Sequence, residues 1–193
     1  MKITSYFLAL ISPLIFMSCN TDEYLISHEL KNIEATIQLP NVYKTVKAND
    51  IERIISREGD STFKNELLEF HVSNPEDELL VDTLNPYKFI TISNIKPPVT
   101  IDTSFFYLII DHERSISSSN SNVVDSTYYV GSKMGSVGKM KFIESKYLRQ
   151  DSNGRKRIGY TFLISNEAKT IGIRFYNPEE ENVFQYINSI KKR

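Results

Sequence analysis

The last third of the chain constrains the fold more than any other part, because four strand-like segments there are set apart by turn residues. Residues 128–134, 139–149, 155–165 and 169–176 each read as a strand. Asp151-Ser152-Asn153-Gly154 separates the second from the third, and Asn-Gly accepts the positive φ angles that tight hairpins demand. Ser165-Asn166-Glu167 turns the third into the fourth, so an antiparallel meander is expected. A helix should close the chain. Asn177 stands as its N-cap, Pro178 at its first position, Glu179, Glu180 and Glu181 at the positive dipole end, and Lys191-Lys192-Arg193 in its last turn. Val183, Phe184, Ile187 and Ile190 form one apolar face, which is expected to pack across the sheet.

Upstream, Ile33 to Leu39 alternates as a strand, Pro40-Asn41 marks a turn, and Val42 to Val46 is expected to return as its hairpin partner. Asp50 can cap a short helix carrying Ile51, Ile54 and Ile55 and ending near Gly59. Ser61 can cap a second, with Phe63, Leu67 and Phe70, running to about His71. Leu79-Leu80-Val81 suits a strand or a helical turn, whereas Phe89 to Ile92 is β-branched, bounded by turn residues and reads as a strand. Pro97-Pro98 excludes regular structure locally. The apolar run from Phe105 to Ile110 would suit a buried strand. Phe105, Leu108, Ile109 and His112 nevertheless fall at helical spacing, with Thr103 or Ser104 to cap, so residues 103–115 are expected to be helical. Ser117 to Ser126 reads as an exposed loop. The fold class is therefore α+β: an antiparallel sheet of about five to seven strands flanked by helices, with a C-terminal amphipathic helix packed on it.

The first nineteen residues decide where such a domain resides. Lys2 supplies a positive start, residues 3–17 are mostly apolar, and small Ser18 precedes Cys19. Phe16-Met17-Ser18-Cys19 resembles the lipobox of bacterial lipoproteins, although that pattern prefers Leu at position 16 and a small residue at 17. The resemblance implies cleavage between Ser18 and Cys19, with diacylglycerol on the Cys19 sulfur. An ordinary signal peptide or an uncleaved anchor would share much of this anatomy, but the apolar run falls short of the roughly 20 residues that cross a bilayer core. Cys19 is the only cysteine, so the exported part has no internal disulfide. The expected organisation is a signal peptide over 1–18, a polar tether over 19–31 and one globular domain over 32–193. Asp22-Glu23 resembles, in sparser form, the surface-export signals of Bacteroidota lipoproteins. It would serve equally as a solvated spacer.

With Lys2 set aside, the 23 basic residues fall to 22 against 24 acidic ones, a balance that argues against nucleic acid as a partner. An opening strand Ile37-Gln38-Leu39-Pro40, a segment from Leu79 to Pro86, and Ile171-Gly172-Ile173-Arg174-Phe175 ahead of an amphipathic helix resemble the PsbP-like fold over residues 33–193. The resemblance implies an antiparallel sheet flanked by helices. Proteins of that fold are mostly non-enzymatic accessory or binding modules.

No motif carries recognisable chemistry. Gly131, Gly135, Gly138 and Lys139 invite a phosphate-loop reading, but Lys133 stands where a Walker loop needs its first glycine, and Met140 where it needs Ser or Thr. A turn or bulge suits these glycines better. Asp111-His112-Glu113 are sequence neighbours that cannot all face one ion, and His28 and His71 lack paired spacing. No serine sits in a nucleophile elbow. No metal, cofactor or catalytic residue is assigned. The expectation is a membrane-anchored accessory or binding protein of the cell envelope, at the outer membrane, held through lipid on Cys19 and acting on an envelope partner. A hydrolase with an unrecognised site and an immunity protein that blocks a toxin are the alternatives.

Overall fold

In a computed structural model the described residues are 24–47, 50, 77–119, 126–150, 156–166, 168–177 and 180–192. Ser18, Cys19, the helices expected over 51–71 and the Asn-Gly turn lie outside them. In chain order they form β1 (Leu25–Leu30), a 3-10 turn (Lys31–Ile33), β2 (Ala35–Pro40), β3 (Tyr43–Thr45), β4 (Glu78–Asp82) and β5 (Phe89–Ile95). Helix α1 (Thr103–Ser119) leads into the meander β6 (Ser126–Val137), β7 (Met140–Gln150), β8 (Lys156–Ser165) and β9 (Thr170–Tyr176). Helix α2 (Glu180–Asn188) and β10 (Lys191–Lys192) end the chain.

The architecture is α+β. Seven strands pair antiparallel in the order β3-β4-β5-β9-β8-β7-β6, and three more in the order β1-β2-β10. The meander falls where the four strand-like segments place it, and β8 and β9 bury one face each. Tyr160, Phe162 and Ile164 of β8 and Ile171, Ile173 and Phe175 of β9 are almost fully enclosed. They meet Ala35, Ile37 and Leu39 of β2 and Val183, Tyr186, Ile187 and Ile190 in one core. The α2 face predicted from spacing thus packs against the inner side of the large sheet.

The expected opening hairpin does not form. β2 pairs with β1 and β10, while β3 pairs with β4. Pro40-Asn41-Val42 is a corner that hands the chain from the small sheet to the large one. Its polar groups are met from both sides, Asn41 N–H by the Tyr24 carbonyl (3.0 Å) and the Val42 carbonyl by Thr83 N–H (3.0 Å). The tether assignment is corrected in the same region, since residues 25–30 are a strand whose backbone pairs with all of β2.

Residues 103–115 are helical, as the spacing predicts. Asp102 rather than Thr103 or Ser104 begins the helix, its carboxylate accepting the Phe105 N–H at 2.8 Å. The helix runs on to Ser119, into the stretch expected to be loop. Leu79-Leu80-Val81 is strand. At the C-terminus, Asn177 is not a helix N-cap. It stands at φ 52° rather than in the extended region an N-cap takes, and donates its N–H to the Ile158 carbonyl at 2.8 Å. Nor do Lys191 and Lys192 lie in the last helical turn: α2 stops at Asn188, and the lysines pair with Thr36 and Ala35. Ser189 makes that break, its hydroxyl donating to the Tyr186 carbonyl and accepting the Gln38 N–H at 2.8 Å.

His28 of β1 gives this edge a pH dependence. Its Nε2 is buried without a hydrogen-bond partner among the described residues. Burial lowers its pKa below the ordinary 6.5, with Lys44 acting in the same sense and Glu78 opposing. The unfolded chain therefore takes the proton first, and stability present above pH 6.5 is lost as pH falls from there toward the folded-state value. Melting temperature should decline over that interval, and His28→Gln should flatten the decline.

Candidate functional site

The outer face of the large sheet, opposite the core, is built from two neighbouring cross-strand rows. Register places Phe89, Tyr176, Gly159, Tyr147 and Tyr129 side by side in one row, and Thr91, Arg174, Thr161, Ser145 and Ser132 in the next. The first row is aromatic except at Gly159. Phe89 and Tyr176 stack with centroids 4.0 Å apart and planes 12° from parallel, and Tyr129 lies 6.1 Å from Tyr147. Between these pairs the missing side chain of Gly159 opens the floor.

The gap widens into a groove of about 530 Å³ walled on one side by His112 and Glu113 of α1. Gly159 is not needed for its backbone. Its φ is not in the left-handed region, and a Cβ added there would meet only the Phe175 carbonyl, at 3.6 Å. Glycine within a strand often marks a place where something approaches the sheet closely. Arg174 is exposed beside the floor, and the Arg157 guanidinium lies 5.2 Å from the centre of the Tyr87 ring.

A chain of hydroxyls runs beside the groove. Tyr129 donates to Ser132 Oγ at 2.8 Å, and Ser132 Oγ lies 2.7 Å from Ser145 Oγ. Burial first, then the Glu113 carboxylate that accepts its proton, push the Tyr147 phenol well above its ordinary pKa; Ser145 and Arg174 oppose the shift. Tyr147 therefore stays a neutral donor at physiological pH and ties α1 to the sheet. Glu113 is engaged there, and among the described residues no three His, Cys, Asp or Glu side chains gather to hold a metal. A second concavity, about 430 Å³, is lined by mixed charges including Glu29, Lys47, Asp77 and Glu78 and has no aromatic side chain.

The glycines that suggested a phosphate loop have structural places. Gly131 follows the irregularity in β6 pairing, Gly135 lies beneath the Phe142 ring, and Gly138 takes φ 58° as the first residue of the β6–β7 turn. None of the groove residues is assigned to a site by sequence alone. Gly159 between Ile158 and Tyr160 was the one available signal, because the aromatic row exists only through the register of five strands.

The fold is PsbP-like. The chain is similar to cyanobacterial PsbP (CyanoP) from Synechocystis sp. PCC 6803, whose solution structure superposes with a TM-score of 0.54 at 10% identity, covering 94% of this chain and 100% of that one. A crystal structure from Bacteroides thetaiotaomicron VPI-5482 superposes with a TM-score of 0.45 at 11% identity, over 88% of this chain and 48% of the other. No protein-family model and no curated protein matches the sequence. The likeness establishes fold, and fold alone transfers no activity.

Proposed function

We propose that the chain is a lipid-anchored, non-catalytic binding protein of the bacterial cell envelope, held at the outer membrane through Cys19. Its groove takes an acidic, aromatic-bearing segment of another envelope protein. The observation that carries this reading is Gly159, a gap in an aromatic row that the backbone does not require and that the Arg174 side chain borders. An aromatic side chain can enter between Tyr147 and Tyr176, while an adjacent carboxylate meets a guanidinium whose planar donors suit it.

Gly159→Leu should fill the groove and leave the fold intact, since the site accepts a Cβ without displacement. Fluorescence anisotropy with short labelled peptides carrying Asp or Glu beside Phe or Tyr tests this, with Lys-for-Glu peptides as controls. Wild type should prefer the acidic set. Gly159→Leu should abolish that preference and Arg174→Glu should weaken binding about 30-fold, equivalent to about 2 kcal/mol. Equal binding of both peptide sets, or no effect of Gly159→Leu, would rule out the groove.

A further inference from the structure

Tyr24, Leu25 and Leu84 are large apolar residues left 63%, 40% and 67% exposed, and they share one corner of the molecule. The corner is Asn41-Val42. Tyr24 is bonded to it through Asn41 N–H, and Thr83, the neighbour of Leu84, through the Val42 carbonyl. Leu25 stands opposite Pro40 in the sheet register.

Leu84 is held outward by an ordered loop. Asp82, only 5% exposed, accepts the N–H groups of Leu84 at 2.7 Å and Asn85 at 3.0 Å through one carboxylate oxygen. Asn85 in turn receives the Tyr87 N–H at 3.2 Å, and the Lys88 N–H reaches the Asn85 carbonyl at 2.9 Å. A leucine fixed in water by this many bonds is displayed, because the same loop could carry a polar residue without losing any of them.

The position of the corner in the chain says what it meets. Leu25 follows Cys19 by six residues, and a fully extended chain of that length spans at most about 21 Å. We infer that Tyr24, Leu25 and Leu84 form a membrane-docking corner that inserts among the headgroups of the bilayer holding the Cys19 lipid, fixing which end of the domain faces the membrane. The inference rests on the anchored reading above and adds an orientation to it. An aromatic ring and two leucines are the side chains that enter the boundary between headgroups and acyl chains.

The chain contains no tryptophan, so a single introduced indole reports its own surroundings. Full-length, lipidated Leu84→Trp and Lys139→Trp are reconstituted into phosphatidylcholine vesicles with brominated acyl chains. Lys139 is exposed in the β6–β7 turn, at the opposite end of the sheet. Quenching of the indole in Leu84→Trp should exceed that in Lys139→Trp by about threefold or more, with a blue-shifted emission for the Leu84→Trp variant alone. Comparable or absent quenching in both variants, with protein still floating with the vesicles, would overturn the docking corner and leave the anchor standing. Protein that fails to float would overturn the anchor, and the docking with it.

Discussion

Phe162→Ala should lower the stability of the domain by about 3–5 kcal/mol, seen as a fall of about 10 °C in the thermal melt followed by circular dichroism. Phe162 is fully enclosed at the centre of the core. Four aromatic rings surround it, Phe142 at 5.9 Å, Phe175 at 6.0 Å, Phe184 at 6.3 Å and Tyr160 at 6.5 Å. These come from β7, β9, α2 and β8, so one ring joins three strands of the large sheet to the closing helix. Truncation loses the transfer energy of the ring and leaves a cavity that four stiff neighbours, each pinned in its own element, cannot collapse to fill. Tyr107→Ala on α1, where the side chain is 60% exposed, is the matched control and should change stability by less than about 0.5 kcal/mol. A fall below about 3 °C for Phe162→Ala would mean that helix and sheet do not share this core.

Much of that core is legible in the sequence alone. The strand-like segments of the meander and the apolar face of α2 are read directly from the sequence, and they meet in one core. The departures have a common cause: they fall where backbone pairing, rather than side-chain burial, decides the structure. Residues 25–30 bury only Leu30 fully, so their pattern is polar, yet their amides complete β2. Lys191 and Lys192 bury nothing and are drawn into a strand because Ser189 stops the helix beside the free edge of β2. Val42 to Val46 follows Ile33 to Leu39 so closely that a hairpin is the local expectation, and only the bonds around Pro40-Asn41-Val42 show the chain changing sheets.

The groove was hidden for a different reason. Phe89, Tyr147, Gly159 and Tyr176 are far apart in sequence and become neighbours through three strand registers. No local pattern contains that information. The Tyr147–Glu113 tie depends besides on where α1 crosses the sheet.

Cys19→Ala has the largest expected effect on behaviour, because lipid on that sulfur is the covalent hold on the membrane proposed for this chain. Among the described residues no helix is long and apolar enough to cross a bilayer. Acyl chains on one cysteine stabilise membrane residence by about 0.8 kcal/mol per buried methylene, so several chains bind durably and their loss should release the domain almost completely. The docking corner alone, three side chains wide, should not retain it. Since Cys19 is the only cysteine, a thioether-linked lipid has one attachment point.

The decisive measurement is radiolabelled palmitate incorporation into wild type and Cys19→Ala, with membrane fractionation of both. Wild type should be labelled and membrane-bound, and the variant should lose label and membrane retention together. An unlabelled, soluble wild type would contradict the anchored reading and make the chain a free periplasmic or secreted protein.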